Sequence, residues 1–447
     1  MMKLFVENIH DRNLRISVLG SGYVGLPTAA LFAAAGFNVT AIDMKSKIVK
    51  NVNSGVSPIN EPGLQELVSH NVQSGKLTAA LNSDTTLNQE DVIVICVQTP
   101  IDKNKKPNLS FLLNALENVG KNLKKQMLVA VCSTVPPRTM QEKVKPLLES
   151  LSGLKADVDF YLAYVPERIA PGKALKEFVE SPRLVGGVGS NSTKIAAELF
   201  RTVCKKIIET DATTAEIAKT AENTYRDVNI AFANQLAIIC EQHGADITKV
   251  IELANTHPRV NIHTSGPGVG GPCLTKDPYL LTHQSKPADY DIIKTARKIN
   301  DNMPKHIVKL TLQALKNTGK DVKSSKIAIL GTAYKANVDD SRFSPSESII
   351  QKLKTLGAET IAYDPHCTST FGAKKATSLH ESVKDADCLI IATDHNEFKN
   401  LNLTEIKQSM RSKPTIVDGK RIINPNEAEK HGFTYYGVGY GKPRCRQ

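Results

Sequence analysis

Short apolar runs, each closed by glycine or a polar turn, alternate along this chain with stretches of helical periodicity. Residues 15–19 read as a buried strand, and the turn Gly20-Ser-Gly22-Tyr23-Val24-Gly25 follows. An Ala-rich helix over 26–35, a closing Gly36 and a second strand over 38–43 complete the unit. Further strands are predicted over 91–97, 127–132 and 160–164. Such continuous aliphatic runs between helices predict parallel sheets covered on both faces. From 213 to 243 the pattern is one long helix, free of Pro and Gly until Gly244. Its second half is mostly apolar, as burial between domains or subunits requires. The strand-turn-helix-strand order then restarts, with strands over 326–330, 360–364 and 388–393 and a helix over 344–356. The prediction is an α/β protein with two doubly wound domains around a long central helix.

The polar residues at strand ends carry the candidate chemistry. Gly20 permits a tight turn, Gly22 lets backbone approach a pyrophosphate, and Gly25 allows close helix–strand packing. Anions are favoured at the start of the helix that follows. Asp43, closing the second strand, would accept the ribose 2′-OH and repel a 2′-phosphate, which selects NAD over NADP. Later strands end at Thr99, Thr134 and Glu167-Arg168; for Glu167 or Thr134 taken singly, turn capping is the alternative. Lys219, Asn223 and Arg226 share one face of the long helix. The run 266–272 packs four glycines and two prolines into seven residues and delivers Cys273, with Asp277 four residues on. In the second α/β half the turn after Gly331 lacks the three-glycine pattern. Lys335, Arg342 and Lys420 are its cationic candidates for a different phosphate compound.

Composition narrows the classes. At 447 residues the chain is too long for one ordinary core. Its 57 Lys and Arg against 45 Asp and Glu give a formal +12, which raises the question of nucleic acid. Residues 321–447 hold 19 basic against 15 acidic residues, so the excess is spread evenly; with no Trp for stacking, a nucleic-acid partner is not expected. The aliphatic run 92–97 is far short of the ~20 residues of a membrane span. Acids interrupt the N-terminal stretch, so no signal peptide is expected. The eight cysteines, Cys445 among them, include no C-x-x-C pair. That composition predicts a reducing, cytoplasmic location and no metal site.

Taken together, several motifs resemble the UDP-glucose/GDP-mannose dehydrogenase family from about residue 14 to the C-terminus. They are the 20–25 turn, Glu61-Pro-Gly-Leu64, Thr99-Pro100, Ser133-Thr134-Val135, Pro166-Glu167, Lys219 with Asn223, Gly270-Gly-x-Cys273-x-x-Lys-Asp277, and Lys335 with Arg342. Pro166-Glu-Arg-Ile-Ala-Pro-Gly172 is similar to the N-acetylhexosamine branch. Pro272 stands where that branch usually carries His, and Lys276 resembles the UDP-glucose branch.

The resemblance implies two Rossmann-like domains joined by a long central helix and a helical dimerisation region. Residues 1–211 would bind NAD, 212–321 would dimerise and carry the cysteine, and 322–447 would bind the UDP-sugar. It implies oxidation of a C6 alcohol to a carboxylate with two NAD+, on UDP-N-acetylmannosamine, or alternatively on UDP-N-acetylglucosamine or UDP-glucose. Cys273 would form a thiohemiacetal and then a thioester. Lys219, or a water held by Asp277, would take the O6 proton; Lys219 and Asn223 would stabilise the oxyanion, and Lys219 would favour the thiolate. Glu167 would be the hydrolytic base, with Thr134 orienting water. Gly20, Gly22, Tyr23, Val24, Gly25, Asp43, Thr99, Thr134 and Arg342 would line the cofactor. Arg168, Ile169, Lys219, Asn223, Arg226, His257, Arg259, Gly270, Tyr334, Lys335 and Lys420 would hold the sugar nucleotide. A homodimer is implied, with Arg259 acting across its interface.

Overall fold

Strand β1 (Arg15–Leu19) lies inside an eight-stranded sheet, with β2 (Asn38–Asp43) on one side and β4 (Val92–Ile95) on the other. The sheet order is β3-β2-β1-β4-β5-β6-β7-β8, where β3 is Leu77–Leu81, β5 Leu128–Val131, β6 Tyr161–Tyr164, β7 Arg183–Gly187 and β8 Ile207–Asp211. All neighbours run parallel except β6 and β7. The structure is a computed structural model, and it describes residues 2–81 and 87–441. Cys445 therefore lies outside the described residues. Strands β1, β4, β5 and β6 are covered on both faces, which is why they read as unbroken apolar runs. The reversal of strand order between β1 and β4 opens the crevice where doubly wound sheets bind ligands.

The second sheet has the order β11-β10-β9-β12-β13-β14 and is parallel throughout. Its strands are β9 (Lys326–Leu330), β10 (Glu359–Tyr363), β11 (Lys374–Lys375), β12 (Cys388–Ile391), β13 (Thr415–Asp418) and β14 (Thr434–Gly437). Here too the first strand stands between the second and the fourth in order.

One helix spans Ala212–His243, as the periodicity predicts. A second long helix, Asp291–Asn317, contains Pro304, the kind of residue that argues against a helix in sequence. Packing overrides that propensity: Met303, Pro304, Ile307 and Val308 are all buried. The chain divides into two compact units. One runs to Glu222 and takes in Tyr279–Ser285; the other holds Asn223–Pro278 and everything from Lys286 onward. Among the described residues no helix is long and apolar enough to cross a membrane, and the cysteines form no disulfide.

Candidate active site

In the first unit the turn after β1 has the geometry its glycines predict. Gly20 has φ +93°, and a Cβ there would meet the Cys96 carbonyl oxygen at 2.9 Å. A Cβ on Gly25 would lie 1.7 Å from the Gly20 oxygen, so only glycine lets the helix Gly25–Ala34 start so close to the strand. Gly22 is different: a Cβ would meet nothing within 4 Å, leaving its backbone open to approach. Asp43 accepts the Ser21 N–H at 2.9 Å and so stands beside the turn. An open glycine backbone and an acid at the neighbouring strand end fit a dinucleotide.

The next strand ends converge on one another. Thr99 Oγ1 donates to the Thr134 carbonyl at 2.5 Å, tying the end of β4 to that of β5. Glu167, just beyond β6, pairs through Oε2 with Arg183 Nη1 at 2.5 Å, and its Oε1 accepts the Arg168 N–H at 2.7 Å. Arg183 also lies over the Phe178 ring, 4.0 Å from its centroid. The Arg168 guanidinium is committed to the Pro182 carbonyl and Glu222, and Ile169 packs against the apolar core. Glu61 holds the same loop from the other end, accepting the Gly172 and Ala174 N–H groups at 2.8 and 2.6 Å. Glu216, on the long helix one turn before Lys219, accepts the Arg138 and Met140 N–H groups at 2.6 and 2.8 Å. Burial pushes its carboxyl up to about 7. Lys219 itself is buried.

The second unit carries the thiol. Cys273 is exposed, and its carbonyl accepts the Asp277 N–H at 2.8 Å, in the turn that leads into the helix Asp277–Leu281. Asp277 is buried and its Oδ2 accepts from Asn223 Nδ2 at 2.6 Å. All three are candidates from sequence spacing, and a side-chain bond joins two of them, Asn223 and Asp277. The glycine-rich loop is held at both ends. Gly266 donates its N–H to Asn234 Oδ1 at 2.8 Å, and Asn234 in turn reaches Asn300, Asp227 and Arg297 through a buried polar chain. At the other end, a Cβ on Gly271 would fall 2.6 Å from the Tyr334 ring, and the Gly271 N–H donates to the Arg342 carbonyl at 3.0 Å.

The cations of this unit divide. Arg342 is bound to Asp340, at 2.5 Å for the closest pair. The hydrogen bond to Asp340 foremost raises the guanidinium's pKa. Lys420 pairs with Asp394 at 3.2 Å, beside Gly266. Lys335, Arg226, His257 and Arg259 are exposed.

Family models match in chain order. The NAD binding domain of the UDP-glucose/GDP-mannose dehydrogenase family matches residues 14–204, its central domain 213–302, and its UDP binding domain 328–425. The chain belongs to this family. It is an NAD-dependent oxidoreductase, a UDP-sugar dehydrogenase. A UDP-N-acetyl-D-mannosamine dehydrogenase from Pyrococcus horikoshii is 43% identical over 429 residues, covering 96% of this chain and 100% of that protein. The solved structure of UDP-D-ManNAc dehydrogenase from the same organism superposes with a TM-score of 0.91, covering 96% of this chain and 100% of that one. An NDP-N-acetyl-D-galactosaminuronic acid dehydrogenase from Methanosarcina mazei is 36% identical, with a TM-score of 0.86, covering 99% of both chains.

Several polar residues that hold the site loops of this UDP-sugar dehydrogenase are not among the candidates its sequence spacing offers. Arg183 opens the short apolar run of β7, and Asp227 and Asn234 lie on the long helix among apolar residues; an arginine, aspartate or asparagine buried there has to find a partner. That mismatch is the signal that would have marked them. Glu216 carries no such signal, because it bonds backbone N–H groups of a segment far away in sequence; Glu61 is marked by its motif, but its bonds to the 172–174 loop are not.

Proposed function

We propose that this dehydrogenase oxidises the C6 alcohol of UDP-N-acetyl-D-mannosamine to the uronate, through a thiohemiacetal and a thioester on Cys273. The observation that carries the reading is the linked trio in the second unit: an exposed Cys273, Asp277 four residues on, and Asn223 bonded to that carboxylate. An amide nitrogen has two hydrogens. With one directed at Asp277, Asn223 presents the other to an oxyanion on C6, joined by Lys219. Lys219, or a water held by Asp277, removes the O6 proton.

Bound NAD supplies the hydride acceptor for each of the two oxidations, and Gly20, Gly22, Gly25, Asp43 and Thr99 are the residues that would hold it. Cys273 attacks the aldehyde carbon as the thiolate, which a cationic Lys219 would favour. Thioester hydrolysis adds one water and releases the thiol. Glu167 is the base and Thr134 orients the water. Although Arg183 and the Arg168 N–H occupy one site on each carboxylate oxygen, a carboxylate has about four acceptor sites.

The relatives' names support N-acetylmannosamine as the sugar, and the 166–172 motif agrees. UDP-N-acetylglucosamine and UDP-glucose are the alternatives. A side-by-side assay of the three sugar nucleotides, read as NADH release, tests the choice. The highest kcat/KM belongs to UDP-N-acetylmannosamine; a tenfold preference for either other sugar would overturn it.

The reading includes a homodimer formed through the long helix, in a cytoplasmic protein. Tyr225, Phe232 and Ile239 support the dimer: they fall at seven-residue spacing on that helix and are 59%, 52% and 41% exposed. Arg259 would act across that interface. Phe232→Glu lowers the mass measured by light scattering to that of a monomer.

A further inference from the structure

The two sheets open with the same sequence of parts: strand, glycine turn, helix, and a strand followed by aspartate. In the first, Asp43 is half-exposed beside an open turn. In the second the corresponding acid, Asp364, is closed off. Its Oδ2 accepts the Thr332 and Ala333 N–H groups at 2.6 and 2.9 Å, and its Oδ1 accepts those of His366 and Cys367 at 2.9 and 2.8 Å. His395 Nε2 stands 3.0 Å from the same Oδ2, and the two side chains are 0% and 1% exposed. The acid that in a dinucleotide-binding turn is left to meet a ribose is here bonded to the chain's own imidazole.

The other ring nitrogen of His395 is also committed. Nδ1 accepts the Asn337 N–H at 2.9 Å, which puts the ring proton on Nε2, facing Asp364. His366, His395 and Glu397 bring ligand atoms within 4.8 Å of one another. With both nitrogens of His395 taken, the cluster is a hydrogen-bonding node and not a metal centre. Two more bonds reach the same segment: Thr393 Oγ1 to the Ala333 carbonyl at 2.7 Å, and the Asn396 N–H to Asn337 Oδ1 at 3.0 Å. Residues 332–337 are thus fixed at both ends, with Tyr334 and Lys335 between. Tyr334 lies against Gly270 and Gly271, two residues before Cys273.

We infer that His395 and Asp364 are positioning residues that set the Tyr334–Lys335 segment for the sugar nucleotide and, through Tyr334, the loop bearing Cys273. This rests on the UDP-sugar reading of the second domain. Both act through backbone bonds, Asp364 to Thr332 and Ala333 and His395 to Asn337.

The test compares His395→Gln with His395→Asn. Glutamine reaches Asp364 as Nε2 does but gives up the Asn337 N–H, whereas asparagine keeps an acceptor near the Nδ1 position. UDP alone is the probe, with NAD affinity as the control and the iodoacetamide alkylation rate of Cys273 as a second readout. His395→Gln should weaken UDP about tenfold, the scale of one buried hydrogen bond, and change the alkylation rate, with NAD affinity unaltered. His395→Asn should restore most of the UDP affinity. Thr393→Val, which removes only the Ala333 bond, should shift UDP affinity in the same direction and carries the test if His395→Gln does not fold. Unchanged UDP affinity in a folded variant overturns the inference alone, as does an equal loss of UDP and NAD affinity. Failure of the unaltered protein to bind UDP overturns the reading of the domain, and the inference with it.

Discussion

Glu167 Oε2 and Arg183 Nη1 are 2.5 Å apart, and the two side chains are 6% and 3% exposed. A buried pair of this kind is weak evidence for stability, yet removing one partner strands the other charge. Arg183→Leu is expected to destabilise the protein by about 3–5 kcal/mol, and Arg183→Lys by less, measured as the shift in urea unfolding. Arg183→Lys also lowers kcat while leaving NAD affinity unchanged, because lysine keeps the charge but not the guanidinium geometry that fixes Glu167.

Cys273 carries the covalent chemistry of the proposed reaction. Cys273→Ser should reduce uronate formation by about a thousandfold or more while binding of UDP and NAD persists. Product analysis by mass spectrometry checks it. A serine variant that still formed uronate at the full rate would show that the oxidation does not pass through a thioester on Cys273.

Asp43 stands beside the glycine turn and bonds the Ser21 and Lys45 N–H groups. Its charge repels a 2′-phosphate. Asp43→Ser is expected to reduce the preference for NAD over NADP by about tenfold or more in kcat/KM.

Glu216 gives the fold a pH dependence with a definite sign. Burial raises its carboxyl from 4.5 to about 7, and burial foremost does the same for Glu90. Between those values the folded chain holds a proton that the unfolded chain has released. The contribution to stability is therefore full below about pH 4.5 and is lost as pH rises to 7, on the order of 3 kcal/mol for Glu216. Thermal unfolding should show Tm falling from pH 5 to pH 8, and Glu216→Gln should flatten that slope.

Much of the architecture was legible because buried parallel strands leave unbroken apolar runs, as at 15–19 and 326–330. The helix Asp291–Asn317 was not, since Pro304 masks it, and neither was β7, whose apolar run is only Leu184-Val185 between Arg183 and two glycines. At the site, chemistry with local spacing could be read: the glycine turn, Lys219 with Asn223, and Cys273 with Asp277. The bond from Asn223 to Asp277 spans 54 residues and has no local trace. Nor has the His395–Asp364 pair, whose partners come from the ends of two strands.

The central claim is a four-electron oxidation that passes through Cys273, and its most direct test is a stoichiometry. A limiting amount of UDP-N-acetylmannosamine is consumed in excess NAD+, with NADH counted by absorbance and the sugar product identified. Two NADH per sugar with uronate as product is the predicted result. One NADH per sugar with free aldehyde would contradict it.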